Sequence, residues 1–213
     1  MKLERMPLNK RLCEQLKQDI IERRIEFGEK LINRELQQRF GVSSTPVRDA
    51  INHLYLDGLV DDISNSGARV IKFDLQFILE VNEMVSLLCC AAVECSAERA
   101  DHAVLCAQLE RVFSQQQRVT VTDEYYHLDF LFHKAFFDHC QNSQYQKSYS
   151  RYHVLWEMLV RRFHGFQDNQ KNATVEQHRQ ILDSFRAGET QLAVDQTKTH
   201  FLRAEKLFRQ HMV

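Results

Sequence analysis

Apolar residues recur at Leu12, Leu16, Ile20 and Ile21 between charged positions. This spacing predicts an amphipathic helix over residues 8–25, broken at Gly28. A short second helix is expected over residues 34–40, closed by Gly41, which accepts the positive φ of a helix end. Ser43, Ser44 and Thr45 offer oxygens to cap a third helix, and Pro46 sits in its first turn. Val47, Ile51, Leu54 and Leu56 follow at helical spacing until Gly58. Val60 and Ile63, then Val70 and Ile71, flank a turn at Asn65, Ser66 and Gly67, the pattern of a small hairpin. After Asp74 the strand pattern stops. Helices are expected over 75–100 (apolar at Ile78, Val81, Val85, Leu88, Ala92 and Cys95) and 102–118. A further helix runs from Thr122 or Asp123 to Cys140. The next starts at Asn142 or Ser143 and carries Tyr145, Tyr149, Tyr152, Leu155, Trp156 and Leu159. A loop at 165–172 precedes helices over 174–185 and 189–211, with Gly188 between them. Six helices with short connections suggest an antiparallel bundle.

The expected fold is therefore mainly α: a winged helix-turn-helix over residues 1–73, then a helical bundle over 74–213. A helix opening Ser-Thr-Pro presents Ser44, Thr45 and Arg48 on its exposed first turns, where a recognition helix meets base edges in the major groove. Arg34, at the start of the second helix, is a further candidate for a base or phosphate contact, since Arg can span the two acceptors of guanine.

Charge adds little to this picture. The chain is 213 residues long with a formal net charge of −1. Its first 74 residues carry 13 basic and 12 acidic side chains. The tilt has the right sign for nucleic acid but is too small to carry the argument, which rests on local placement of arginines. With 44% hydrophobic residues, 6 Gly and 2 Pro, the chain can bury a helical core. Six cysteines without a Cys-x-x-Cys pair imply a reducing cytoplasm. No apolar signal core opens the chain. The apolar run 84–93 is about half a membrane span and reads as a buried helix, so no membrane partner is expected.

Candidate metal chemistry lies in the bundle. Asp129 and His133, at i and i+4, project from one helix face and can share an ion. His178 and His200 lie on the last two helices. Three imidazoles and a carboxylate suit Zn²⁺, Ni²⁺, Mn²⁺ or Fe²⁺ and leave positions for water or a ligand carboxylate. Helices carry chance i,i+4 pairs and the chain has 10 histidines, so spacing alone leaves a structural role open.

The run ERRIEFGEKLINRELQQRFGVSSTPVRDAINHLYLDGLV resembles the winged helix-turn-helix of GntR-type bacterial transcription regulators over about residues 8–72. The recognition helix in that family usually opens Ser-Arg-Thr-Pro-Val-Arg. Ser44 here replaces the first Arg. The resemblance implies that the hairpin is a wing whose tip, Ser66 and Gly67, enters the minor groove. DFLFH (129–133), EQHR (176–179) and THFLRAE (199–205) resemble the FCD ligand domain of the FadR subgroup. Six helices match its shorter VanR-type branch. Asp129, His133, His178 and His200 fall on the metal-binding pattern of that domain. Such domains often carry an Arg on their first helix, followed three and four residues later by Leu-Glu. Val85, Leu88 and Cys89 stand there instead, and Arg161 or Arg162 is the substitute within reach.

These features imply a cytoplasmic homodimer that binds a palindromic double-stranded DNA operator and is controlled by a small-molecule effector near a divalent transition metal. Two alternatives stand beside it. One is a metal-dependent hydrolase, with Glu176 or Glu124 as general base. The other is a bundle whose histidines are only structural. No catalytic residue is assigned.

Overall fold

The computed structural model describes residues 6–120, 122–163 and 168–211. The chain divides into two compact units, Met1–Asp74 and Leu75–Val213.

In the first unit, α1 (Leu8–Ile21), α2 (Asn33–Phe40) and α3 (Ser44–Leu56) accompany β1 (Lys30–Ile32), β2 (Val60–Ser64) and β3 (Gly67–Val70). The antiparallel sheet has the order β1-β3-β2. Leu12, Leu16 and Ile20 of α1 are buried, as are Val47, Ala50, Ile51 and Leu54 of α3, and the two helices pack together. α1 ends before the stretch its periodicity suggests. Arg23 turns to a positive φ of 61°, and the Asp19 carbonyl accepts from Arg24 N at 2.8 Å and Ile25 N at 3.1 Å. The buried Asp19 carboxylate then takes Arg24 Nε at 2.8 Å and Arg39 Nη2 at 2.6 Å, fastening α1 to α2. Gly41 closes α2 with φ 63°. Ser43 occupies the N-cap of α3, but no side-chain oxygen bonds that helix end. Leu56 and Ile63 are exposed rather than buried, so α3 packs through Val47, Ala50, Ile51 and Leu54. β1 is a strand the residue pattern does not announce, because three residues are too few to show a period.

The second unit holds six helices among the described residues: α4 (Leu75–Arg99), α5 (His102–Gln116), α6 (Thr122–His139), α7 (Ser143–Phe163), α8 (Asp168–Arg186) and α9 (Thr190–His211). α4 is long and apolar enough to cross a membrane by length and composition. Its stripe of Ile78, Val81, Val85, Cys89, Ala92 and Val93 is buried, and it packs against α6, α7 and α9. α5 packs on α6 and α8, and α8 on α9. Two helix starts are capped by side chains: Asp101 accepts from Val104 N at 3.1 Å, and Asn142 Oδ1 from Gln144 N at 3.0 Å. The expected loop at 165–172 is mostly helix, since α8 already begins at Asp168; residues 164–167 lie outside the described residues. The side chains of Thr122 and Asp123, expected caps of α6, also lie outside them.

Candidate metal centre and nucleic-acid interface

α6, α8 and α9 bring Asp129, His133, His178 and His200 together. One ligand atom from each lies within 4.8 Å of all the others, and all four residues are buried. The imidazole centroids are 4.9–5.1 Å apart. Phe132 stacks on His178 at 4.1 Å, and Phe201 packs at 5.4 Å from His133. These rings fix the imidazoles in position and shield the cluster from water.

The hydrogen bonds orient the ligand atoms. His178 Nδ1 donates to Gln116 Oε1 at 2.8 Å, and the same amide sends its nitrogen to Asp129 Oδ1 at 3.5 Å. His200 Nδ1 donates to Gln177 Oε1 at 3.2 Å. With Nδ1 carrying the proton, Nε2 is a bare lone pair. Nε2 of His133, His178 and His200 are all buried without a hydrogen-bond partner. Buried polar atoms are normally paired, so three orphans in one cluster fit a bound partner that they would share. His178 Nε2 also stands 3.6 Å from Asp129 Oδ1. This is not an ion pair: burial holds His178 well below its ordinary pKa, helped by His133 and His200, so the ring is neutral. A lone pair facing a carboxylate oxygen needs a cation or a proton between them.

Burial sets the remaining charges. It pushes His200 down to about 3, with Arg203 adding to the effect. It drives His133 well down, seconded by His200 and His153. It pushes Asp129 up to about 7, with Glu157 adding repulsion and Gln116 opposing. Among the described residues no Lys or Arg pairs with Asp129. The donor set of three imidazole nitrogens and one carboxylate oxygen, dry and without a counter-charge, fits a divalent transition metal. Gln116 and Gln177 are the orienting partners that metal-binding imidazoles ordinarily have. Gln116 carried no signal in the sequence, because it stands 62 residues from His178 and glutamines are common on helices. Gln177 lies inside the EQHR stretch, which drew attention only to its neighbours.

The other candidates of this domain fall elsewhere. Glu176 is fully exposed and bonded to Arg179 at 2.9 Å, and Glu124 is exposed. Neither belongs to the cluster. Arg161 is largely buried but is engaged by Glu157 at 2.6 Å and lies over the Tyr126 ring at 4.7 Å. The Arg162 side chain lies outside the described residues. Val85 and Cys89 are buried core of α4.

In the first unit, Arg34, Thr45 and Arg48 are exposed and Ser44 is half-buried. Thr45, Arg48 and the exposed Asn52 follow one another along one face of α3. A cleft of about 420 Å³ separates α3 from the hairpin, lined by Asn33, Arg48, Ile51, Asn52, Ile63, Ser64 and Asn65. Asn52 carries no signal in the sequence, because polar residues are ordinary on an exposed helix face and the hairpin opposite it is distant in the chain. Gly67 is buried rather than at the tip, and the exposed turn is Asn65 and Ser66. The glycine is required by close approach: at its φ of 148° an added Cβ would lie 1.8 Å from Leu31 O.

Residues 80–203 match the FCD domain, and residues 8–70 match the bacterial regulatory proteins of the gntR family. The chain is 29% identical over 132 residues to the HTH-type transcriptional repressor RspR of Escherichia coli K12. That match spans 60% of this chain and only 57% of RspR. It is 24% identical over 191 residues to the uncharacterized HTH-type transcriptional regulator YdhC of Bacillus subtilis, covering 88% of this chain and 84% of that one. Among solved structures, a putative transcriptional regulator GntR from Rhodococcus sp. RHA1 superposes with a TM-score of 0.71 at 21% identity, over 95% of this chain and 97% of that one. E. coli McbR/YncC gives 0.68 at 17% identity, over 97% and 99%. At these identities the structural likeness shows the fold, a small winged domain followed by a helical bundle. The matched domains together place this chain in the GntR family of transcription regulators, in the FadR subgroup with an FCD domain.

Proposed function

We propose that this protein is a dimeric, DNA-binding transcription regulator of the cytoplasm. A small molecule, bound at a transition metal in the helical domain, sets its operator affinity. The observation that carries the sensing half of this reading is the cluster of three buried, partnerless Nε2 atoms beside Asp129. Asp129, His133, His178 and His200 would hold Zn²⁺, Ni²⁺, Mn²⁺ or Fe²⁺. The ion would supply open coordination positions for a carboxylate or other donor of the effector. Gln116 and Gln177 hold His178 and His200 in the ligating tautomer, and the surrounding rings exclude water.

In the DNA-binding half, Arg48 and Arg34 are assigned to bases or phosphates, Ser44 and Thr45 to supporting contacts, and the strand start at Gly67 to carrying the wing tip. Symmetric half-sites require two copies related by a two-fold axis. On α4 and α9 the exposed Leu87 and Leu202 flank a groove that also carries Glu80, Glu83, Lys198 and Arg209. A patch with apolar residues and both signs of charge suits contact with its own copy, and the dimer is assigned to it. Glu176 and Glu124, the general bases of the hydrolase alternative, are exposed and outside the cluster, which favours the regulatory reading.

The test begins with duplexes enriched from a random-sequence pool by the full chain. Affinity for the enriched duplex is then measured with metal-loaded protein, with and without a panel of metal-chelating organic acids. The expected result is a shift of about fivefold or more by at least one acid, the low end of ordinary coupling between sites. Arg48→Ala should weaken binding about tenfold or more. Acids that bind by calorimetry yet leave DNA affinity unchanged would refute metal-site control; failure to enrich any duplex would refute the DNA-binding half.

A further inference from the structure

Asn33, the first residue of α2, is 7% exposed and lies where α2, α3 and the hairpin meet. It makes two bonds to the hairpin turn. Its backbone N–H donates to Ser66 O at 2.9 Å, and its side-chain Nδ2 donates to Asn65 O at 2.9 Å. Ser64 adds bonds within the turn, through Ser66 Oγ at 2.9 Å, but none to a helix. Ile32 pairs with Gly67 immediately beside this contact. One buried residue, through its backbone and its side chain, thus ties the exposed tip to the start of α2, the helix that precedes the recognition helix.

The same side chain keeps an unmet need. Its Oδ1 is buried and has no hydrogen-bond partner. A residue chosen only for stability would not hold an orphaned acceptor there, because a leucine of similar volume would remove the desolvation penalty. What the asparagine supplies, and leucine would not, is the bond to Asn65 O.

We infer that Asn33 is a positioning residue for DNA recognition: it fixes the height of the wing tip relative to α3, so that tip and recognition helix engage adjacent grooves together. Arg48 and Asn52 on α3 and Ser64 and Asn65 on the hairpin face each other across the cleft that Asn33 closes at its base. Losing the side-chain bond leaves the Asn33 N–H on Ser66 O and the β1–β3 pairing in place but loosens Asn65, while α3 stays packed through Val47, Ala50, Ile51 and Leu54. The inference rests on the DNA-binding reading above.

The experiment uses the full chain, wild type beside Asn33→Leu and Asn33→Ala, on the duplex enriched by the wild type. Hydroxyl-radical cleavage reports protection along the minor groove, and dimethyl sulfate reports guanine N7 in the major groove. Both variants should keep major-groove protection, show reduced minor-groove protection, and bind about three- to tenfold more weakly, the range for one hydrogen bond. Asn33→Leu should keep the wild-type melting temperature, which separates positioning from loss of fold. Wild-type minor-groove protection retained in a folded Asn33→Leu protein would overturn the inference. A wild type that protects only the major groove would overturn it too, while leaving DNA binding intact. A wild type that enriches no duplex defeats the DNA-binding reading itself.

Discussion

Gln116 holds two members of the candidate metal cluster at once, accepting from His178 and donating to Asp129. Gln116→Leu keeps the volume but frees both, so metal affinity should fall about 10–100-fold with the fold intact. Competition against a chromophoric chelator measures this, and unchanged affinity would remove Gln116 from the site. His153 allows a second, independent check on the interior. Burial, with Arg161 adding to it, pushes His153 down to about 3. The unfolded chain takes up that proton near its ordinary pKa of about 6.5. The stability that neutral His153 contributes is therefore complete above about 6.5 and is lost as pH falls toward 3. Between pH 6.5 and 5 the loss is about 2 kcal/mol. Urea unfolding of chelator-treated protein should show His153→Phe losing less stability than wild type over that interval; equal losses would show that His153 is not held neutral. That Asp129, His133, His178 and His200 meet was legible in the sequence because an i,i+4 pair marked two of them and the resemblance to FCD motifs marked the set. Gln116, Gln177 and His153 were not, because their partners lie on other helices and no local spacing records such a meeting.

Helices with long periodic faces, such as α4 and α9, were legible end to end, since their burial follows the 3.6-residue period. Short or locally closed elements were not. β1 exists because β3 pairs with it, Lys30 to Arg69 and Ile32 to Gly67, a tertiary cause absent from the residues themselves. α1 stops early because Asp19 closes its end and is itself secured by Arg39 from α2. The β1–β3 pairing also explains Gly67, which reads as a turn residue but is a site of close backbone approach. Gly67→Ala should destabilise the first unit by about 1–3 kcal/mol, since both the backbone conformation and the contact with Leu31 O resist a side chain. Calorimetry that follows the first unit would detect this, and a variant melting with the wild type would contradict the close-approach account.

On the scale of the whole molecule, the fold joins a gntR-type winged unit to an FCD helical unit, and α4 starts at the residue after the first unit ends. The dimer surface assigned to α4 and α9 centres on Leu87, 61% exposed. Leu87→Glu should yield monomers by sedimentation and weaken binding to the enriched duplex, because a single reading head loses the second half-site. A variant that sediments as wild type would move the interface elsewhere. Sensing as proposed depends on the metal, and the metal content of untagged protein, wild type beside His178→Ala and His200→Ala, tests it. About one transition-metal ion is expected per wild-type chain and little in either variant, since each loses one of only four protein ligands. Wild-type protein that holds no metal after reconstitution, or variants that keep it, would contradict the account and return the three imidazoles to a structural role.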